Sequence, residues 1–265
     1  NRVMCINAGW TLGLPEGDGE RMRGLIDEMM HRAPGQVGAG SARNQAAAGA
    51  LFGYLMEHVT KLRAQPEKAE RLAKVFLEAE VEGERLSDQD IVSYLFSLLV
   101  TGSETTPMAV AGTFYYLGRN PEQKRAVLAD RSLVDKAFAE TLRFDQPTNM
   151  LARRARADFE VGGKTIREGD NLLMIYAAAN RDEARFARPH AYDIFRQPQR
   201  DLSFGAGPHY CLGAHLALIV GPMMVAALLD AAGDYELIEA ECRRGYGEFL
   251  NGYVAVPIVF EGRRG

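Results

Sequence analysis

Between Gly19 and Phe144, apolar residues recur at intervals of three and four, the spacing that gathers them on one face of a helix. The pattern predicts helices over residues 19–31, 44–65, 67–80, 121–128 and 133–144, and a longer one over residues 87–117. Ser87 reads as the N-cap of the long helix, and Asp90 completes a capping-box pattern three positions on. At 1.5 Å per residue this helix spans about 45 Å, enough to cross a whole domain. Pro107 lies inside it and has no N–H, so a kink or bulge is expected beside Ser103. After Phe144 the period changes. Residues 159–161 and 164–166 read as a hairpin turning at Gly162-Gly163. Residues 170–175 read as a third strand, residues 248–260 as a terminal hairpin, and residues 212–229 as an apolar helical run. The Gly/Ala-rich residues 33–50 read as a mobile loop or a weak helix start, and residues 1–6 enter apolar sequence with no visible cap. The predicted fold class is mainly α with a minor β-sheet region, in a single domain over residues 1–265.

Composition narrows the function classes. Of 265 residues, 47% are hydrophobic and 25% charged, which supports one large domain with a substantial core. A net charge of −4 argues against nucleic acid as a partner. No apolar run reads as long enough for a membrane span, and no signal peptide is visible. The cysteines, Cys5, Cys211 and Cys242, are few and odd in number, which fits a reducing, cytoplasmic location.

The chemistry concentrates in Phe204-Gly-Ala-Gly-Pro-His-Tyr-Cys211-Leu-Gly213. Gly205 and Gly207 permit a tight turn and a close approach to a flat partner. Helix-start N–H groups after Cys211 favour a thiolate, and Phe204 is placed to shield the sulfur. One reading is a free buried cysteine beside an ordinary loop. Another is a zinc site built from His209, Cys211, His215 and Cys242. Neither accounts for the glycines and the phenylalanine together. The stretch resembles the haem-binding signature of the cytochrome P-450 family, Phe-Gly-x-Gly-x-His-x-Cys-x-Gly, at all six fixed positions.

That resemblance extends over nearly the whole chain and begins about a third of the way into family members, at Leu12-Gly-Leu-Pro15. It implies the cytochrome P-450 fold with its N-terminal part absent. It implies heme b (iron protoporphyrin IX) with Cys211 as the iron ligand, and Gly213 closing the signature. Arg153 and His209 match residues that bind the haem propionates; Asp201 stands where many bacterial members have a further histidine. Thr101-Gly-Ser-Glu-Thr-Thr106 resembles the oxygen-activating motif: Gly102 admits the porphyrin, Thr105 offers a hydroxyl and Glu104 passes protons. Thr101 departs from the small residue usual there. Glu140-x-x-Arg143 with Arg196 resembles the family's ionic network behind the cysteine loop. Val100, Thr101, Asn149, Met150, Leu151, Phe249 and Leu250 fall where members line the substrate pocket, and Asn251 adds a polar group beside them. The implied function is a bacterial-type haem-thiolate monooxygenase. It would oxidise a small organic molecule with dioxygen and two electrons from a ferredoxin-type partner and its reductase. The alternative is a non-catalytic haem-binding or recruitment protein derived from the family.

Overall fold

The computed structural model describes residues 2–32, 40–197, 199–245, 247 and 250–260. The chain divides into two compact units, Asn1–Pro107 and Met108–Gly265, where sequence suggested a single domain.

The first unit is helical. It holds α1 (Arg2–Thr11), α2 (Gly19–Met30), α3 (Ala42–Ala64), α4 (Arg71–Glu78) and the first part of α5 (Asp88–Arg119). A small antiparallel pair, β1 (Glu80–Val81) and β2 (Glu84–Arg85), precedes α5. The predicted helical spacing is what packs: Leu51, Leu55, Val59 and Leu62 of α3 meet Ile91, Leu95 and Leu99 of α5 in one buried cluster, with Met22 and Ile26 of α2. Residues 2–11, which carry no cap signal, form α1; its Cys5 and Ala8, with Leu12 just past its end, join that core. The predicted capping box at α5 is present: Asp90 N–H donates to Ser87 Oγ at 3.1 Å, and Ser87 N–H to Asp90 Oδ2 at 3.2 Å. Ser41 and Asn44 form a second one, so α3 starts cleanly at Ala42 inside a stretch read as a weak start. Asn44 also donates to the carbonyls of Glu28 and His31, closing the C-terminal end of α2.

The second unit takes the rest of α5, then α6 (Pro121–Ala129), α7 (Val134–Asp145), α8 (Tyr176–Ala179) and α9 (Ala214–Ala232). Its strands are β3 (Met150–Arg154), β4 (Phe159–Val161), β5 (Lys164–Ile166), β6 (Asn171–Ile175), β7 (Tyr235–Leu237), β8 (Arg243–Arg244), β9 (Tyr253–Ala255) and β10 (Ile258–Phe260). They form antiparallel pairs: β3 with β6, β4 with β5, β7 with β10 and β8 with β9. The β4–β5 hairpin turns at Gly162 and Gly163, both at positive φ, as predicted. Residues 248 and 249 of the expected terminal hairpin lie outside the described residues, and among the described residues 250–260 no hairpin forms. β9 and β10 pair with earlier strands instead of each other, because Val256-Pro257 between them cannot supply the positive φ of a two-residue hairpin turn. β3, read only as a pocket segment, is a strand in register with β6, Met150 opposite Ile175.

Helix α9 runs against α7. At Gly221 the fit is tight enough that a Cβ would lie 2.2 Å from Phe138 Cζ. By length and composition α9 could cross a membrane, although sequence suggested no such run. Counted through Ala232 the helix holds 19 residues with one acidic residue, Asp230, near its end. One side of α9, with Val225 and Leu229, lies in the second unit's core. Leu212 before it and Ile219 and Met223 along it are exposed.

Candidate functional site

The site residues named from sequence divide between the units. Val100, Thr101, Gly102, Glu104 and Thr105 lie in the first; Cys211, His209, Phe204, Gly205, Gly213 and Arg153 lie in the second.

In the second unit the chain reaches Cys211 through a turn that only glycines relax into. Gly205 and Gly207 sit at φ +72° and +66°, in the left-handed region. Gly205 N–H donates to the Leu202 carbonyl at 3.0 Å, Tyr210 N–H to Gly207 at 3.0 Å, and Cys211 N–H to Phe204 at 2.9 Å. His209 ends a short 3-10 turn and is exposed. Cys211 is a free thiol, and it is exposed rather than shielded as sequence suggested. The ring of Phe204 lies beside Tyr210, centroids 6.3 Å apart, and lines a cavity of about 390 Å³ with Leu142, Asp201 and Leu218. Gly213 follows the thiol closely: a Cβ there would stand 3.9 Å from Cys211 Sγ.

Behind this loop lies a buried ionic network. Arg143 and Glu140, both buried, form a bidentate pair at 2.7 and 2.8 Å. The same guanidinium donates to the carbonyls of Asn180, Pro189 and Ala191. Arg196 reaches Glu140 at 3.4 Å and donates to the carbonyls of Ala187, Arg188 and Ala191. Glu140 also accepts the Asp193 N–H at 3.0 Å. The three residues named from sequence therefore meet, and what they hold is mainly backbone. A desolvated pair with this many partners loses about 3–5 kcal/mol when one member is deleted.

Asp201, the departure from the family pattern, accepts its neighbour's amide: Ser203 N–H donates to Asp201 Oδ1 at 2.8 Å. Arg153, half-buried on β3, donates to the Ala152 carbonyl at 2.9 Å. Leu250 bridges Thr148, and Asn251 N–H donates to the Pro147 carbonyl at 2.7 Å, so the two pocket segments named from this unit are neighbours. The Asn251 side chain is engaged by Arg244 at 3.0 Å. Phe249 lies outside the described residues. Among the described residues no three His, Cys, Asp or Glu side chains converge as metal ligands, so the zinc reading has no geometry.

In the first unit, α5 presents the Thr101–Thr106 stretch. Thr101 and Thr105 donate back to the carbonyls four residues earlier, at 2.8 and 3.0 Å, as does buried Ser103 at 2.6 Å. Residues on both sides of Pro107 remain α-helical, within α5. The nearest atom to a Cβ added at Gly102 would be Ala8 Cβ, at 3.9 Å, which leaves that surface of the helix open. Val100 packs against the unit's core. Glu104 is buried, and desolvation, with the charge of Asp27 adding to it, raises its pKa to about 7. The same desolvation raises the pKa of Cys5, which is hydrogen-bonded to Ser103.

Two features escaped the sequence. Asn180 is fully buried and bonded to the cysteine loop; the Asn180-Arg-Asp182 match was the available signal, and it carried no chemistry by itself. Glu104 feels the charge of Asp27 on α2, which no local pattern ties to residue 104.

A sequence profile of the cytochrome P-450 family matches residues 39–231. The chain is similar to a protein of Mycobacterium tuberculosis named as cytochrome P-450 123, with 36% identity over 253 residues, 95% of this chain and 62% of that protein. It is also similar to the steroid C26-monooxygenase of Mycobacterium tuberculosis, with 34% identity over 200 residues, 75% of this chain and 53% of that one. Among solved structures, a post-tailoring hydroxylase of himastatin biosynthesis superposes with a TM-score of 0.86 at 30% identity, covering 96% of this chain and 65% of the other. The chain thus spans between 53% and 65% of the length of these relatives.

Proposed function

The chain belongs to the cytochrome P-450 family, and from that premise we propose that it carries the thiolate ligand and the oxygen-side helix of a haem-thiolate monooxygenase. Proteins of the family bind heme b. The donor set here suits it: a free, exposed thiol with Gly213 close by and exposed Leu212 next in the chain. A haem bound through a thiolate supplies electron density that favours O–O cleavage.

The remaining roles fall to this chain's own groups. Gly205 and Gly207, at positive φ, would leave room for a close approach by the macrocycle. Arg153 and His209 would hold its propionates as hydrogen-bond donors. Asp201 adds no cation, and its carboxylate is occupied as a cap for Ser203. Thr105 holds a hydroxyl on the helix face shared with Gly102, three residues away. A carboxyl titrating near 7, as Glu104 does, can both accept and release a proton at neutral pH. Val100 and Thr101 in the first unit, and Asn149, Met150, Leu151 and Leu250 in the second, match positions that contact substrate in the family, and a small organic molecule is the proposed substrate. Electrons come from a ferredoxin-type partner and its reductase, in the cytoplasm.

One observation carries the reading: Cys211 is a free thiol held at the end of a positive-φ glycine turn and backed by a buried ionic network. The test is the ferrous–carbonyl spectrum of the haem-loaded protein. The parent should show the strongly red-shifted band of thiolate ligation, and Cys211→Ser should lose it, since a neutral hydroxyl is a poor iron ligand. A Cys211→Ser protein that kept the band would falsify the assignment.

A further inference from the structure

We infer that Asn180 is a positioning residue that sets the placement of Cys211 by tying the cysteine loop to the Glu140–Arg143 network; its consequence for iron rests on Cys211 being the ligand.

Every polar atom of Asn180 is engaged, and the side chain is fully buried. Its N–H donates to the Tyr176 carbonyl at 2.9 Å, and its carbonyl accepts Arg143 Nη1 at 2.8 Å. The side chain faces the loop. Oδ1 accepts the Leu202 N–H at 2.7 Å, and Nδ2 donates to Ser203 Oγ at 3.1 Å. Ser203 Oγ passes the connection on to the Leu142 carbonyl of α7 at 2.9 Å. One residue therefore joins the network arginine on its main chain to the loop on its side chain.

The loop carries that connection to the thiol. The Leu202 carbonyl, in the peptide next to the anchored N–H, receives the Gly205 N–H at 3.0 Å and so sets the start of the glycine turn. Two residues on, the Phe204 carbonyl receives the Cys211 N–H at 2.9 Å. A shift at Leu202 is passed to both ends of the turn that presents the sulfur. The plain alternative is a buried asparagine that satisfies a turn and adds only stability. It accounts for the bond to Tyr176, but not for a donor and an acceptor both spent on residues 202 and 203. Aspartate would keep the acceptor and lose the donor. Leucine, similar in shape, would lose both and leave the part-buried Leu202 N–H without its partner, a change that shifts a local equilibrium by roughly tenfold.

The experiment compares Asn180→Leu, Asn180→Asp and Ser203→Ala with Val127→Ala, a cavity variant in the same unit's core. Two readouts are taken. In haem-loaded protein, the fraction of the ferrous–carbonyl complex in the red-shifted thiolate band is measured. In haem-free protein, amide hydrogen exchange is followed over residues 202–213 and over α7. Asn180→Leu should speed exchange of residues 202–213 about tenfold while α7 stays protected. It should also move carbonyl complex out of the thiolate band, with Asn180→Asp and Ser203→Ala intermediate. Val127→Ala should do neither at an equal loss of thermal stability. Unchanged exchange in Asn180→Leu overturns the inference even if the variant binds haem normally. So does an equal effect in Val127→Ala, which would mark Asn180 as a stability residue. Should Asn180→Leu fail to fold, unchanged exchange in both milder variants overturns it as well. A parent protein without the red-shifted band would refute the ligand reading of Cys211, and the exchange data would still decide whether Asn180 holds the loop.

Discussion

Glu104 is a carboxyl in surroundings that disfavour its charge. Burial, reinforced by the charge of Asp27, raises its pKa from 4.5 to about 7. The folded protein therefore keeps a proton on Glu104 between about pH 4.5 and 7 that the unfolded chain has released. The group's contribution to stability is full below the lower value, falls as pH rises through the window, and levels off above the upper one. Glu104→Gln should remove that decline, so its stability relative to the parent rises across the window and stays ahead above it. Urea melts at a series of pH values measure this, and parallel pH profiles for parent and variant would refute it. At this scale sequence exposed some residues and concealed others. Cys211, Gly205 and Gly207 were legible because turn geometry and donor chemistry are written locally. The thiol's exposure and the burial of Glu104 and Asn180 were not, because each depends on segments far away in the chain.

The helices came through the sequence well, since their faces repeat every three or four residues and their caps are local. The box at Ser87 and Asp90 is one case, and the packed row Leu51, Leu55, Val59 and Leu62 is another. Strand pairing was harder. β9 and β10 are three residues each, and their partners are chosen by distant segments; only the Val256-Pro257 link hinted that they do not pair with each other. The contact of α7 with α9 was invisible, because nothing near Gly221 names Phe138. It yields a prediction. Alanine is about 1 kcal/mol better than glycine in a helix, yet a Cβ at position 221 would fall 2.2 Å from the Phe138 ring. Overpacking of this kind costs about 1–3 kcal/mol, so Gly221→Ala should destabilise the protein. Phe138→Leu should recover part of the loss, seen as a favourable coupling in a double-mutant cycle on thermal melts. Strict additivity would mean the helices do not meet there.

Across the whole molecule, Leu212, Ile219 and Met223 present apolar surface at 75%, 59% and 64% exposure, and Leu173 and Ile175 of β6 add 57% and 52%. Surface of this kind invites association. The 265-residue chain expressed by itself should self-associate at micromolar concentration, and size-exclusion chromatography with light scattering measures it. A stable monomer would show that these side chains do not suffice to drive association. The bonds around the cysteine loop also bear on the order in which the molecule is made. The link from Arg143 to Asn180 spans 37 residues, and that from Ser203 to Leu142 spans 61. Closing loops of this size costs chain entropy before any contact compensates it. The β4–β5 hairpin, by contrast, closes across two glycines. A nascent chain thus forms its local turns early, and the loop that carries Cys211 is fixed only once Arg143, Asn180 and Ser203 have found one another; with Cys211 as the proposed ligand, cofactor capture becomes a late event in biogenesis.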